Sequence, residues 1–221
     1  MKRITFWFDV VSPFAYLAFE RLPEALQGLS YEIEYRPILF AALLHAIGQK
    51  GPAEIETKRQ WTFRQVAWQA DQLGIPLQVP AEHPFNPLPL LRLLWAAPQM
   101  PGATPNRLQC EQVFRYAWQS GGQSGGGASA TDPQRLQALK DALAPRQDPA
   151  GESVKDLLRN ETERALKRGV FGVPTFELDG RLFWGLDALP MLAGQLRGDD
   201  WFAGKAWDQA GAPRPGVVRR A

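Results

Sequence analysis

Residues 4–18, ITFWFDVVSPFAYLA, decide the fold, because a strand signal is followed there directly by a helix start. The first part is a short run of β-branched and aromatic residues, which predicts a buried strand. Ser12 and Pro13 come next, the serine suited to cap a helix and the proline to be its first residue. From Phe14 to about Leu29 apolar residues recur at helical spacing. The sequence therefore predicts a strand that leads straight into a helix.

The chain continues with a second strand and then changes to helical periodicity. Residues 31–36, YEIEYR, alternate apolar and charged side chains, which is typical of a half-buried strand, and Pro37 ends it. From residue 38 to 168 the pattern is almost wholly helical, interrupted by a proline-rich loop at 74–89 and a glycine-rich stretch at 120–130 that we expect to be a flexible surface loop. The predicted helices span 39–47, 54–73, 90–97, 107–118, 133–143 and 152–168.

Strand patterning returns near the C-terminus. Residues 173–178 and 181–184 are apolar-rich runs separated by Asp179-Gly180, a dipeptide typical of the two-residue type I′ turn of a β-hairpin. A last helix is expected from about Asp187 to Leu196. The element order, with the helical block set aside, is βαβ followed by ββα, which is that of a thioredoxin fold.

The predicted fold class is therefore α/β, a thioredoxin-like domain with an inserted all-helical domain. The thioredoxin-like part is discontinuous and comprises residues 1–37 and 169–202. Residues 38–168 form the mostly helical insertion, whose last helix leads back to the sheet. Residues 203–221 are rich in Gly, Pro and Arg, and we expect them to be a loose basic tail.

Composition restricts the chemistry. The chain has 221 residues and a formal net charge of +2, too weak a balance to indicate nucleic-acid binding. Its single cysteine, Cys110, excludes an internal disulfide, a CxxC redox pair and a cysteine-rich zinc site, and two histidines are too few for a histidine-built metal site. No apolar run is long enough for a signal segment or a bilayer span, so a cytoplasmic location is expected, with neither membrane nor metal.

Ser12 is the first candidate for chemistry. The plain interpretation is that it only caps the helix. The functional interpretation is that its hydroxyl and the partial positive charge of the helix N-terminus together stabilise an anion such as a bound thiolate. The two are compatible, because an anion would dock at the capping position. Neither histidine lies in a recognisable triad context, which excludes a serine-protease mechanism.

Two further positions can each be interpreted in a structural or a functional way. Val173-Pro174 either opens an edge strand or contains a cis bond that presents the Val173 backbone to an extended peptide, and its place before the Asp-Gly hairpin favours the second. Asp187 is interpreted as the N-cap of the final helix, or as a carboxylate that receives a ligand ammonium.

The remaining candidates favour structural roles. Cys110 shares a helical face with other apolar residues and is interpreted as a buried bystander. His45 and His83 are interpreted as structural. Four aromatic residues either fill a helical core or line a pocket, and the pattern leaves both open: Trp61, Trp68, Phe85 and Trp118.

These segments, taken together, resemble the 2-hydroxychromene-2-carboxylate isomerase family, which is related to kappa-class glutathione transferases in the DsbA-like branch of the thioredoxin superfamily. The resemblance extends over roughly residues 4–196. The segments that carry it are FWFDVVSPFAYLA at 6–18, RP at 36–37, GQKGP at 48–52, HPFNPL at 83–88, GVFGVPTF at 169–176 and LFWGLD at 182–187.

The resemblance implies a glutathione-dependent enzyme. Ser12 would contact the glutathione sulfur, and the backbone of Val173, before a cis Pro174, would hold the cysteinyl part. Leu186 and Asp187 would lie at the γ-glutamyl end. The implied reaction is the reversible isomerisation of a chromene carboxylate to an open-chain benzylidenepyruvate, by transient addition of the glutathione thiolate.

Four more residues are implied to lie toward this aromatic carboxylate substrate, namely Gln49, Lys50, Phe85 and Asn86, and a homodimer is also implied. The chain departs from the family at Gln49, where asparagine is usual, and at residues 186–188, LDA, where Ser-Asp-Arg is common. Two alternatives stay open: a kappa-like transferase that conjugates electrophiles, and a non-catalytic DsbA-like binding protein.

Overall fold

A computed structural model describes residues 1–120 and 127–212 of the chain. Its strands are β1 (Lys2–Phe8), β2 (Tyr31–Pro37), β3 (Thr175–Leu178) and β4 (Arg181–Trp184). Its helices are α1 (Pro13–Ala25), α2 (Phe40–Ala46), α3 (Glu56–Leu73), α4 (Leu88–Ala96), α5 (Arg107–Trp118), α6 (Pro133–Leu143), α7 (Glu152–Lys167), α8 (Leu189–Arg197), α9 (Asp200–Ala203) and α10 (Ala206–Ala210). Short 3-10 turns cover Pro52–Glu54 and Leu186–Ala188.

The four strands form one mixed sheet in the order β2-β1-β3-β4. The strand β1 is central, parallel to β2 and antiparallel to β3, so that Ile4 pairs with Ile33 on one side and Leu178 on the other. The predicted hairpin is confirmed: Asp179 and Gly180 have φ of 52° and 78°, as a type I′ turn requires. The sheet and its connections confirm the thioredoxin-like fold class.

The predicted strand-to-helix junction is also confirmed. Ser12 is the N-cap of α1, and its Oγ accepts a hydrogen bond from the backbone N–H of Ala15 at 3.2 Å. Pro13 is the first residue of the helix, where a missing N–H costs nothing. The helix ends at Ala25, earlier than the periodicity indicated, because Leu26 already leaves the helical conformation.

The helices α4, α5 and α7 pack directly on the sheet. Phe8 of β1 lies against Phe114 of α5 with ring centroids 5.1 Å apart, and one buried core contains residues from the sheet and from α3 to α7. The face of α5 that contains Cys110 is buried, as predicted. The division into a thioredoxin-like domain and an inserted domain of residues 38–168 stays a prediction.

The expectation of a loose tail from residue 203 is wrong for its first part. Residues 206–210 form α10, and Trp207 packs against Phe183 and Phe202 with ring centroids 5.4 and 5.7 Å away. Phe183 of β4 and Phe202 of α9 supply the apolar contacts that the tail's own composition does not reveal. Residues 213–221 lie outside the described part of the chain.

The glycine-rich stretch at 120–130 is only partly described, because residues 121–126 lie outside the described ranges. Its end is fixed by contacts: Ala130 is buried, and its carbonyl oxygen accepts a hydrogen bond from the Tyr116 hydroxyl at 3.1 Å.

Within residues 1–120 and 127–212, no helix combines the length and the apolar character that crossing a membrane requires.

Candidate active site

Ser12 lies where the end of β1, the start of α1 and the segment before β3 meet. It is buried, and its hydroxyl donates a hydrogen bond to the carbonyl oxygen of Val173 at 3.4 Å while accepting one from Ala15. Pro13 has no N–H, and the N–H of Phe14 finds no acceptor in the described residues. A helix N-terminus with one unpaired N–H and a hydroxyl is therefore available to an anion.

The segment Val173-Pro174 faces Ser12 with its backbone. The peptide bond between these two residues is cis, as predicted. Within the described residues the N–H of Val173 has no acceptor, and its carbonyl oxygen is met only by the Ser12 hydroxyl. Both groups are thus available to pair with an extended peptide. The carbonyl oxygen of Pro174 accepts the N–H of Gly185 at 2.9 Å, which attaches the next segment to this one.

The predicted role of Asp187 as the N-cap of the final helix is wrong. Asp187 lies inside the 3-10 turn Leu186–Ala188, and Ala188 is the N-cap of α8. The reason is local: Gly185, with a φ of 101°, precedes the 3-10 turn, which begins at Leu186 and so already includes Asp187. The Asp187 side chain is exposed instead of bonded to the α8 backbone, so its carboxylate is available to a ligand.

Leu186 and Asp187 line a cleft of about 510 Å³ between α1, α3 and α8. Two arginines, Arg21 and Arg197, line the same cleft. Arg21 is paired with Glu24, whereas no carboxylate of the described residues lies within salt-bridge distance of Arg197. The cleft therefore offers both an anion and a cation, which suits a zwitterionic ligand group.

A buried carboxylate, Asp9, supports the loop that precedes Ser12. Its Oδ1 accepts the N–H of Val11 at 3.0 Å, and its Oδ2 accepts the N–H of Phe40 at 2.9 Å. Burial raises the pKa of Asp9 to about 7, and the hydrogen bonds from the backbone oppose this. Sequence reasoning missed this residue, although a charged side chain at the end of an apolar strand was a usable signal.

His83 and Trp118 hold the same loop from the helical side. The Nε2 of His83 lies 2.8 Å from the carbonyl oxygen of Val11, and the Nε1 of Trp118 donates to the carbonyl oxygen of Val10 at 2.8 Å. The ring of Phe85 is buried 6.2 Å from that of His83. Phe85 is therefore connected to the loop of Ser12 through aromatic contacts, and His83, interpreted as structural, belongs to the surroundings of the site.

The other residues predicted to lie toward a substrate are less tied to Ser12. The side chain of Asn86 accepts the N–H of Leu88 at 3.1 Å and so starts α4, which leaves its amide N–H groups free to donate. Gln49 and Lys50 are exposed in the loop after α2, and among the described residues no side-chain hydrogen bond joins them to Ser12.

The aromatic residues that the pattern could not assign now divide into two kinds. Trp118 and Phe85 are buried, whereas Trp61 and Trp68 on α3 are 64% and 63% exposed.

Cys110 is fully buried, and burial raises the pKa of its thiol well above the ordinary value. This chain's own thiol is therefore neither accessible nor ionised, and His45, the other histidine, is exposed on α2.

Comparison with known proteins shows which families the chain is similar to. Residues 3–197 match the family model of the DSBA-like thioredoxin domain. The chain is 31% identical over 197 residues to a 2-hydroxychromene-2-carboxylate isomerase of Pseudomonas putida, an alignment that covers 86% of this chain and 91% of the relative. It is 26% identical over 206 residues to glutathione S-transferase kappa 2 of Caenorhabditis elegans, with 87% and 90% covered.

A solved structure of a 2-hydroxychromene-2-carboxylate isomerase shares the fold. It superimposes with a TM-score of 0.74 at 24% sequence identity, over 91% of this chain and 97% of that one.

Proposed function

The chain belongs to the DSBA-like thioredoxin family, in the group of the 2-hydroxychromene-2-carboxylate isomerases and kappa glutathione transferases, and we propose that it is a glutathione-dependent isomerase. The proposed substrate is 2-hydroxychromene-2-carboxylate or a related intermediate of aromatic-compound breakdown. The observation that carries the proposal is the contact of Ser12, at the N-terminus of α1, with the backbone carbonyl of Val173.

The chemistry of these residues fits glutathione. A peptide backbone can pair with the N–H and carbonyl of Val173, and a thiolate with the hydroxyl of Ser12 and the N-terminus of α1. The hydrogen bond between Pro174 and Gly185 holds the segment of Leu186 and Asp187 next to the segment of Val173. The Asp187 carboxylate suits the ammonium group of a γ-glutamyl end, and the guanidinium of Arg197 suits its carboxylate.

Bound glutathione would supply a thiolate nucleophile that adds to a conjugated carbon and leaves again after bond rotation or ring opening. Ser12 holds this anion by turning its hydroxyl proton from the Val173 carbonyl toward the sulfur. The α1 N-terminus adds a partial positive charge that lowers the pKa of a thiol placed there. Because Cys110 is the chain's single cysteine and is buried, the chain itself provides no competing thiol.

The proposed substrate region lies toward Phe85, Asn86, Gln49 and Lys50. Phe85 supplies an apolar wall beside the loop of Ser12. The free amide N–H groups of Asn86 and the ammonium of Lys50 suit a carboxylate and a carbonyl oxygen. An aromatic carboxylate would find both kinds of contact in this region.

A homodimer and a cytoplasmic location are part of the proposal. Trp61 and Trp68 stand seven residues apart on α3, so they project from the same side of the helix and expose large apolar surfaces. A second copy of the chain would cover them. The cytoplasm supplies the reduced glutathione that the proposed chemistry uses.

The decisive variant is Ser12→Ala, compared with Cys110→Ala. Loss of a hydrogen bond to a charged sulfur costs about 1.5–3 kcal/mol, so turnover should fall by roughly 10- to 100-fold. Loss of the helix cap costs about 1 kcal/mol of stability, which leaves the protein folded. Cys110→Ala should retain turnover and glutathione binding, and Ser12→Thr should restore part of the activity. Turnover of Ser12→Ala equal to that of the wild type would overturn the mechanism.

Two measurements separate this proposal from its alternatives. Calorimetry with glutathione tests the cofactor, and absence of binding at millimolar concentration would favour a non-catalytic binding protein. The mass of the product separates an isomerase from a kappa-like transferase, because only a conjugate retains the mass of glutathione.

A further inference from the structure

A second cavity lies away from Ser12, between the C-terminal half of α1, the strand β2 and the start of α5. Its volume is about 430 Å³, and its walls are mainly apolar and aromatic. Ser12 caps the opposite end of α1, so the ten residues to Leu22 separate the two places by roughly 15 Å along the helix. The lining residues are Leu22, Pro23, Tyr31, Ile33, Tyr35, Asn106 and Arg107.

Arg107 is fixed at this cavity by a defect in α1. Pro23 has no N–H, so the carbonyl oxygen of Phe19, four residues earlier, lacks its helical partner. The Nη1 of Arg107 donates to that oxygen at 3.3 Å, and the guanidinium lies 4.3 Å from the centre of the Phe19 ring. These contacts orient the cation but do not neutralise it.

No carboxylate of residues 1–120 or 127–212 lies within salt-bridge distance of Arg107. The reason is the alternation of β2: its residues 31, 33 and 35 line the cavity, whereas Glu32 and Glu34 project from the other face. There they pair with Arg3 and Arg36. The cavity thus has a half-buried positive charge and no acidic residue in its lining.

Tyr35 adds a buried hydroxyl to the same wall. The residue is 5% exposed, and its oxygen receives a long hydrogen bond of 3.5 Å from Arg107. In the described residues the phenolic proton has no acceptor. Burial raises the pKa of Tyr35, which keeps the phenol protonated and able to donate. The guanidinium and the hydroxyl together would satisfy a carboxylate.

We propose that this cavity is a second small-molecule site, which binds a small aromatic carboxylate. The carboxylate would pair with Arg107 and accept the proton of Tyr35, and the ring would lie against Leu22, Tyr31 and Ile33. This site is independent of the proposed glutathione chemistry, because it shares no residue with it.

Phenylacetate is a suitable probe, with phenylacetamide as its neutral counterpart. Binding to the full chain is measured by calorimetry without glutathione and located by amide NMR shifts. We expect phenylacetate to bind and to shift residues 31–35 and 106–107, and the amide to bind at least tenfold more weakly. Arg107→Gln should weaken phenylacetate roughly tenfold or more, because charge-assisted hydrogen bonds are lost. Tyr35→Phe should weaken it several-fold.

Arg115→Gln is the matched control. It removes an arginine from the same helix, but Arg115 pairs with Glu20 and Glu111 outside the cavity, so phenylacetate affinity should not change. Ser12→Ala should likewise retain binding, whether or not the chain is an isomerase. Equal affinity for phenylacetamide, or shifts centred on Phe14 and Val173, would overturn the proposal. Both readouts use the wild type, so they decide the question even if Arg107→Gln does not fold.

Discussion

The Nε2 atom of His83 lies 2.8 Å from the carbonyl oxygen of Val11, the residue directly before Ser12. Because a carbonyl oxygen only accepts, this nitrogen carries the proton, and Nδ1 keeps its lone pair. That Nδ1 is buried and has no partner among the described residues. Burial lowers the pKa of His83, so the ring is neutral at neutral pH. His83 therefore acts as a positioning residue for the loop that carries Ser12.

We predict that His83→Phe lowers kcat and that His83→Gln restores most of it. Phenylalanine leaves the carbonyl of Val11 without a donor, at a cost of about 1–3 kcal/mol in stability. Glutamine places an amide N–H near the position of Nε2 and keeps the hydrogen bond. Steady-state kinetics with glutathione and the chromene substrate, together with urea unfolding, measure both effects. Equal kcat for the two variants would contradict a role that depends on the hydrogen bond.

The burial of Asp9 predicts that stability falls as the pH rises from about 4 to 7. The pKa of this carboxyl is 3.8 unfolded and about 7 folded, so between these values the folded state binds the extra proton. Deprotonation of the unfolded chain then lowers the free energy of unfolding until the folded group also ionises. One pKa unit is about 1.4 kcal/mol, so the total loss is on the order of 4 kcal/mol.

Urea unfolding of the wild type and Asp9→Asn at a series of pH values tests this. The variant should lose the decline between pH 4 and 7, because it has no proton to release there. Asp179→Asn is the control: Lys2 holds the pKa of Asp179 below its ordinary value, and Asn-Gly suits the same type I′ turn. That control should retain the decline. A flat wild-type profile would contradict the prediction.

Much of this fold could be predicted because its signals are local. Ser12-Pro13 contains the cap and first residue of α1 within two positions, and Asp179-Gly180 determines its own turn. Helical periodicity gave α5 and α6 with correct ends, since each begins after a side-chain cap, Asn106 or Asp132.

The rest depends on contacts between distant parts of the chain. Nothing near His83 indicates that it contacts Val11, 72 positions earlier. Trp207 stands in a stretch whose composition resembles a loose tail, and it is ordered by contacts with distant residues such as Phe183. The candidate site shows the same division: Ser12 and Pro174 had local signals, whereas the cleft beside Asp187 is formed by three separate helices.

Alanine substitutions at Gly185 and Gly180 should distinguish an effect on stability from an effect on ligand binding. Both glycines have positive φ, 101° and 78°, so alanine is strained at either position. The cost is about 1–2 kcal/mol at 180 and up to about 3 kcal/mol at 185, where a ψ of 163° gives a conformation that essentially only glycine adopts. A Cβ at 185 would also lie 2.3 Å from Oδ1 of Asp187, whereas a Cβ at 180 would have no neighbouring atom of the described residues within 4 Å. We expect both variants to lose stability, Gly185→Ala the more, and only Gly185→Ala to bind glutathione more weakly, by several-fold. Calorimetry and thermal unfolding measure the two effects, and equal glutathione affinity would exclude Asp187 from the site.

The ordered part of the tail predicts that Trp207→Ala destabilises the protein. The indole packs against the rings of Phe183 and Phe202, and the guanidinium of Arg181 is 5.3 Å from its centre. Removing a half-buried tryptophan should cost about 2 kcal/mol, less than the full cost in a core. Asp208→Ala, which changes an exposed neighbour on α10, should leave stability within about 0.5 kcal/mol. Because Phe183 is in β4, Trp207→Ala should also speed amide hydrogen exchange in that strand, and unchanged exchange there would show that α10 does not stabilise the sheet.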